Sequence, residues 1–211
     1  QTVYALHSYG SDLIVGGLFT QAGGGPIGRL ARWDGSTWSP LGTGVNNAVY
    51  ALEVYNGDLI VAGSFTQAGG QPASRIARWN GSAWYTLGSG TNAIIYGLTT
   101  FQSKLLAGGY FTQAGAQPVN YIATWDGAIW SALGSGMNAA VKCVCSFGSY
   151  LAAGGSFTEA GSAPVVGLAI WDGSSWSAVG GGLGYGLIEA LAEHDGGLVA
   201  GGWFAQAGEL G

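Results

Sequence analysis

The segment Val3-Tyr4-Ala5-Leu6 returns 46 residues later as Val49-Tyr50-Ala51-Leu52. The same interval leads to a third copy from Ile95 and a fourth from Val141, and a fifth follows after 47 residues. A fixed period of roughly 20 to 50 residues is the signature of tandem repeats that stack on one another. We therefore expect one domain over residues 1–211, composed of repeats 3–48, 49–94, 95–140 and 141–187 and the half-repeat 188–211.

Each complete repeat contains four short strand candidates. In the first repeat these are residues 3–9, 13–17 and 30–33 and a fourth strand that contains Trp38. The first two are joined by Gly10-Ser11, which reads Asn56-Gly57 in the second repeat, a strong hairpin signal. Four antiparallel strands at this period are typical of a propeller blade. The pattern predicts an all-β fold: a β-propeller of about five four-stranded antiparallel blades, the last incomplete in this chain or part of a larger array.

Two further features recur in every complete repeat. The second strand ends in a glycine, which is costly inside a strand and so predicts a bulge or a close backbone approach at Gly17, Gly63, Gly109, Gly155 and Gly202. The hairpin Trp-Asp-Gly-x-x-Trp carries a tryptophan on each arm and accounts for eight of the nine tryptophans, counting the Asn80 copy. We expect these eight to be core residues and Asp34 and its equivalents to form turns.

The double glycine Gly16-Gly17 followed by the tryptophan hairpin resembles the kelch and galactose-oxidase-like propellers. The longer phrase GGxFTQAG…RxARWDGSxWSxLGxG is similar to repeats of large secreted bacterial proteins and of the Rax2-like cell-surface proteins of fungi. This resemblance covers the whole chain and implies a propeller fold and a surface location. It does not extend to the copper chemistry of galactose oxidase, because the sequence has no matching Tyr/His ligand set.

The composition excludes several kinds of partner. Only six residues are Lys or Arg and the net charge is −5, which argues against nucleic acid and against basic attachment to membranes. No apolar run approaches the ~20 residues of a spanning helix. The low charge and the sequon at Asn80 favour an extracellular setting, secreted or on a cell surface, with Asn80 as a glycosylation candidate.

The chemistry-bearing residues do not form a catalytic pattern. His7, Glu53 and Cys145 occupy one equivalent position in repeats one, two and four, and an ordinary channel lining is preferred there over a metal site. Cys143 and Cys145 lie two apart on one strand, a poor geometry for a mutual disulfide. We expect no enzyme activity, no cofactor and no bound metal.

Function is therefore sought in binding. The preferred hypothesis is a structural or adhesive scaffold whose incomplete fifth blade is covered by another copy of the chain or by more of the same array. The alternative is a carbohydrate-binding lectin that uses the loops between blades, although these loops share an Asn in three repeats and no aromatic residue. The candidate surface residues are Leu198, Val199 and Trp203, together with the repeated Gln21, Gln67, Gln113 and Gln206. Of these we expect Trp203 to be partly buried.

Overall fold

The structure, a computed structural model, describes residues 1–180 and 186–205. Each of the first four repeats forms a four-stranded antiparallel sheet, and the described part of the fifth forms a two-stranded hairpin. Every regular element in these residues is a strand, and they include no helix long and apolar enough to cross a membrane. The prediction of an all-β fold built from four-stranded blades is confirmed.

The strands of the first two repeats follow the sequence pattern closely. In the first repeat they are β1 (Thr2–Tyr9), β2 (Asp12–Leu18), β3 (Gln21–Ala22), β4 (Gly25–Pro26), β5 (Leu30–Trp33) and β6 (Trp38–Pro40). In the second they are β7 (Val49–Tyr55), β8 (Asp58–Gly63), β9 (Gln67–Ala68), β10 (Gln71–Pro72), β11 (Ile76–Trp79) and β12 (Trp84–Thr86).

The later repeats have the same order of strands. The third contains β13 (Ile95–Phe101), β14 (Lys104–Gly109), β15 (Gln113–Ala114), β16 (Gln117–Pro118), β17 (Ile122–Trp125) and β18 (Trp130–Ala132). The fourth contains β19 (Val141–Phe147), β20 (Tyr150–Gly155), β21 (Glu159–Ala160), β22 (Ala163–Pro164), β23 (Leu168–Trp171) and β24 (Trp176–Ala178), and the fifth β25 (Gly186–His194) and β26 (Gly197–Phe204).

Each four-stranded sheet is a simple meander. The order β1-β2-β5-β6 recurs in the next three repeats, so the second strand always lies in the middle of its sheet. The two-residue strands β3 and β4 form a separate small ladder, and so do their counterparts in repeats two to four. The sequence pattern did not predict this ladder, because two-residue strands have no periodicity to detect.

The recurrent second glycine marks both of the features that were predicted for it. Between Val3 and Ala5 the pairing of β1 with β2 shifts by one residue, a β-bulge that recurs in β7, β19 and β25. The glycine opposite the bulge lies so close to the chain that a Cβ at Gly17 would overlap the carbonyl oxygen of Thr2. The same overlap would occur at Gly63, Gly155 and Gly202.

The chain divides into two compact units, Gln1–Ile95 and Tyr96–Gly211, each with its own apolar core. In the first unit, Ile14 and Leu30 of repeat one pack with Leu59 and Phe65 of repeat two. In the second unit, Leu106 and Ile122 pack with Leu151 and Phe157 of the next repeat. Apolar side chains from successive repeats therefore share a core, as expected for stacked repeats.

Candidate functional site

The tryptophan hairpins are structural in the repeats that have a repeat before them in the same unit. In each hairpin the two rings pack with centroids 5.2 to 5.4 Å apart. In repeat four, Trp176 Nε1 donates to the carbonyl oxygen of Leu133 at 3.3 Å, and Gly134 lies against Trp171. In repeat two, Trp84 makes the same bond to Leu41. The tryptophan pair of one repeat thus rests on the Leu-Gly end of the preceding repeat.

Burial of the tryptophans differs between the repeats. The pairs of repeats three and four are buried, and the pair of repeat two is half-buried. Trp38 of repeat one is exposed, so the prediction that all eight tryptophans lie in the core is wrong at this position. The physical reason is that Trp38 has no counterpart of the Leu41 and Gly42 packing site among the described residues.

The recurrent acidic residue of the same hairpin forms the turn, as predicted. Asp172 Oδ1 accepts hydrogen bonds from the backbone N–H groups of Ser174 and Ser175 at 2.7 and 2.8 Å. These bonds, of which the one from Ser175 has the largest effect, lower the pKa of the Asp172 carboxyl to about 2. Bonds from Thr37 and then Ser36 lower the pKa of Asp34 in the same way. Asn80 accepts the same pair of backbone bonds without a charge.

The histidine and cysteine candidates are placed as ordinary strand residues. His7 Nε2 lies 3.9 Å from Glu53 Oε1, so this position does line up from one repeat to the next. In the described ranges no group of three or more His, Cys, Asp and Glu side chains lies close enough together to hold a metal. Cys143 and Cys145 are both free thiols, and burial raises the pKa of Cys143 to about 12, so that thiol stays protonated at neutral pH.

The polar loop residues considered for sugar binding are engaged within the fold. Asn46 Oδ1 accepts from the backbone N–H groups of Thr66 and Gln67, and its Nδ2 donates to Thr66 Oγ1. Asn138, the equivalent residue of repeat three, makes the same three bonds to Thr158 and Glu159. Gln113 Nε2 donates to the carbonyl oxygen of Gly115 in its own loop, whereas Gln206 lies outside the described residues.

The strongest departure from the repeat pattern is the apolar face of repeat one. Val3 is 52 % exposed, whereas its equivalents Val49 and Val141 are fully buried. Leu6 is 62 % exposed, whereas its equivalent Leu52 is 7 % exposed. Sequence reasoning missed this face. The sequence does contain a signal for this face. Val3 and Leu6 are equivalent to residues of later repeats that are buried against the repeat before them.

The hairpin of repeat five also exposes large apolar side chains. Trp203 is 78 % exposed and Val199 is 54 % exposed, while Leu198 is half-buried. The expectation that Trp203 is partly buried is therefore wrong, because Gly201, its neighbour on the same face of β26, has no side chain to cover the ring. A Cβ placed at Gly201 would meet no atom within 4 Å. These residues and the Val3 face are the two candidate binding surfaces.

The comparisons with known proteins agree with the fold. The family described as domain of unknown function (DUF5122) beta-propeller matches residues 56–82, which lie in repeat two. No protein of curated function matches the chain. Among solved structures, the computationally designed Ika8 protein is similar over 95 % of this chain with a TM-score of 0.58 at 17 % identity. The designed Ika4 protein is similar over 81 % with a TM-score of 0.46 at 14 % identity.

The class of protein follows from these observations. The chain spans 55 % of the length of Ika8, so the likeness is one of fold. Together with the repeated four-stranded antiparallel sheets and the family match in repeat two, it defines a β-propeller repeat protein with several blades.

Proposed function

We propose that this chain is a non-enzymatic scaffold of an extracellular or cell-surface protein, and that it is adhesive through the sheet faces of its first and fifth repeats. The observation that carries the proposal is the location of exposed large apolar side chains. Besides Trp38, repeat one exposes five such side chains: Val3, Tyr4, Leu6, Leu13 and Leu18. The hairpin of repeat five exposes two, Val199 and Trp203. Val3 and Leu6 are equivalent to residues that are buried between repeats elsewhere in the chain, and apolar surface exposed in this way marks sites of association.

The use of the recurrent residues supports a scaffold over an enzyme. The tryptophans pack between repeats, the Asp-Gly dipeptides close hairpins, and the asparagines after the fourth strands tie neighbouring loops together. The residues that recur from repeat to repeat therefore have structural roles. This agrees with the resemblance to kelch-like and secreted surface proteins, in which the blade is a support for binding.

Several features support a location outside the cell. The chain has few charges for its length, and the sequon asparagine, Asn80, lies exposed in a hairpin turn. Glycosylation there would be read as a mass shift that is removed by an N-glycosidase and absent from an Asn80→Gln variant after expression through a secretory pathway.

The adhesive role is tested with beads that carry the chain covalently at a fixed density. We expect chain-coated beads to clump, albumin-coated beads to stay dispersed, and free chain in solution to inhibit the clumping by competition. Flow cytometry counts the clusters. Beads that stay dispersed at every coating density would overturn the adhesive role.

Carbohydrate binding is the second candidate, favoured by the exposed indole ring of Trp203. Aromatic faces exposed to solvent stack on sugar rings. A glycan array probed with the chain tests this, with Trp203→Ala as the matched variant. Binding to a defined set of glycans that is lost in Trp203→Ala would replace the scaffold proposal, and an array without signal would remove the lectin.

A further inference from the structure

We infer that the fifth repeat of one copy binds the first repeat of a second copy, with Val3 of the second seated on Gly201 of the first. This rests on the proposed adhesive function and names its partner, a second copy of this chain. The contact would be head-to-tail, since the two surfaces are different parts of the molecule.

The geometry comes from contacts that the chain already makes between its own repeats. A Cβ added to Gly16 would lie 2.5 Å from Val49 Cγ1 of the next repeat. At Gly108 the neighbour is Val141 Cγ1, again at 2.5 Å, so the absence of a side chain makes room for a β-branched residue. Gly154 receives Ile188 Cγ2 at 2.5 Å in the same way.

A second residue accompanies two of these contacts. Leu52 Cδ1 would lie 3.6 Å from the Cβ at Gly16, and Val144 Cγ1 would lie 3.1 Å from that at Gly108. The glycine thus contacts the β-branched residue and the apolar residue three positions further along the same strand. Both kinds of residue are at most 8 % exposed where the contact is made.

Each half of this contact is present once without its partner. Gly201 occupies the equivalent position in β26, and no atom lies within 4 Å of its Cβ direction. Val3 and Leu6 occupy the equivalent positions in β1, and they are 52 % and 62 % exposed. Since a β-branched residue lies against this glycine three times inside the chain, and the second apolar residue accompanies it twice, the open pair has the shape and apolar character to fit between two copies.

The first test is the oligomeric state. Sedimentation velocity over a range of concentrations is expected to show the chain associating as its concentration rises. Leu6→Asp places a charge in the contact, and Gly201→Leu fills the space that Val3 would occupy. Each is expected to give a monomer. The backbone of Gly201 is not in the left-handed region, so a side chain can be accommodated there without strain.

The matched control is Ile129→Asp. Ile129 is 62 % exposed, as Leu6 is, but it lies in the hairpin turn of repeat three and belongs to neither surface. This variant is expected to associate as the parent does. Circular dichroism and urea unfolding of each variant establish that it is folded.

The decisive experiment mixes the two monomeric variants. Leu6→Asp retains an intact Gly201 surface, and Gly201→Leu retains intact Val3 and Leu6. Their equimolar mixture is expected to form a one-to-one heterodimer and nothing larger, because only one productive interface remains. A parent chain that is monomeric at every concentration, association unchanged by both substitutions, or a mixture that stays monomeric would each overturn the inference.

These outcomes are separable from the fate of the proposed function. Beads that clump equally with the parent and with Leu6→Asp would leave the adhesive role standing and overturn the head-to-tail contact. Association in solution with beads that stay dispersed would do the reverse.

Discussion

At the scale of single residues, the turn between the third and fourth strands depends on one acceptor atom. Asp34, Asp126 and Asp172 each accept hydrogen bonds from the backbone N–H groups two and three residues later through a carboxylate oxygen. Asn80 accepts the equivalent bonds through its amide oxygen. The charge is therefore not needed to form the turn, but it makes the turn sensitive to acid, because protonation of the carboxyl weakens it as an acceptor.

The first prediction concerns this sensitivity. The hydrogen bonds lower the pKa of Asp172 from 3.8 to about 2, so its contribution to stability is complete above pH 4 and is lost as the pH falls towards 2. Asp172→Asn should reduce the loss of stability between pH 5 and pH 2, and Asn80→Asp should increase it. Urea unfolding at the two pH values measures both. Identical acid dependence in all three proteins would contradict this role of the carboxyl.

Residue-level prediction from the sequence succeeded where the side chain itself determines the geometry. The Asp-Gly turns belong to this group, and so does Asn56-Gly57, where both residues have positive φ. It failed where the fold imposes the conformation. Arg75 and Tyr121 have φ values of 68° and 64°, which nothing in those side chains favours. Arg75 is held there because its N–H donates to Phe65 and its C=O accepts from Gly63.

At the scale of the elements, the glycine at the end of the second strand allows the first and second strands of a blade to approach closely. It is the residue opposite the bulge, and its missing side chain lets the backbone of the first strand approach. The sequence predicted the existence of this approach from the five-fold recurrence of the glycine. It did not indicate that a bulge and a close approach occur together, because the extra residue of β19 has no compositional signature.

The second prediction tests the approach. Gly155→Ala should destabilise the chain by about 2 to 3 kcal/mol, because the new methyl group would overlap the carbonyl oxygen of Ala140. Gly201→Ala is the control, since its Cβ meets no atom within 4 Å and should change the free energy of unfolding much less. Chemical denaturation followed by tryptophan fluorescence gives both values. Equal effects would mean that the overlap is relieved by backbone movement.

At the scale of the whole molecule, exposure is uneven along the series of repeats. The middle strands β8, β14 and β20 pair on both sides and are almost entirely buried. Among the described residues β26 pairs with β25 alone and is largely exposed. In a stacked array each repeat is stabilised by its neighbours, so repeats with one open face are expected to be less stable.

The third prediction is a matching pattern of hydrogen exchange. At low protein concentration, amides of β8, β14 and β20 should exchange slowly and those of β26 quickly, since the N–H groups of β26 that point away from β25 face no strand in the described ranges. Exchange followed by mass spectrometry of peptides resolves these strands. Equal protection throughout would show that the terminal repeats are as stable as the middle ones.

The candidate site shows where sequence reasoning ended. The incomplete fifth repeat suggested an open strand edge, and Val199 and Trp203 are indeed exposed. The face of repeat one was missed, because Val3 and Leu6 match their buried equivalents in type and differ from them only in the repeat to which they belong. Whether a repeated residue is covered depends on its neighbour in space, which a one-dimensional pattern does not contain.

The contact of a β-branched residue with the glycine of the preceding repeat has a consequence for the evolution of such chains. The three contacts at Gly16, Gly108 and Gly154 are chemically alike, so duplication of repeat one, three or four would place the same glycine against a β-branched residue at the new junction. Unequal recombination at these repeats would therefore add a copy without a compensating substitution in the contact. Repeat two differs, because Ala62 stands at the position of the glycine.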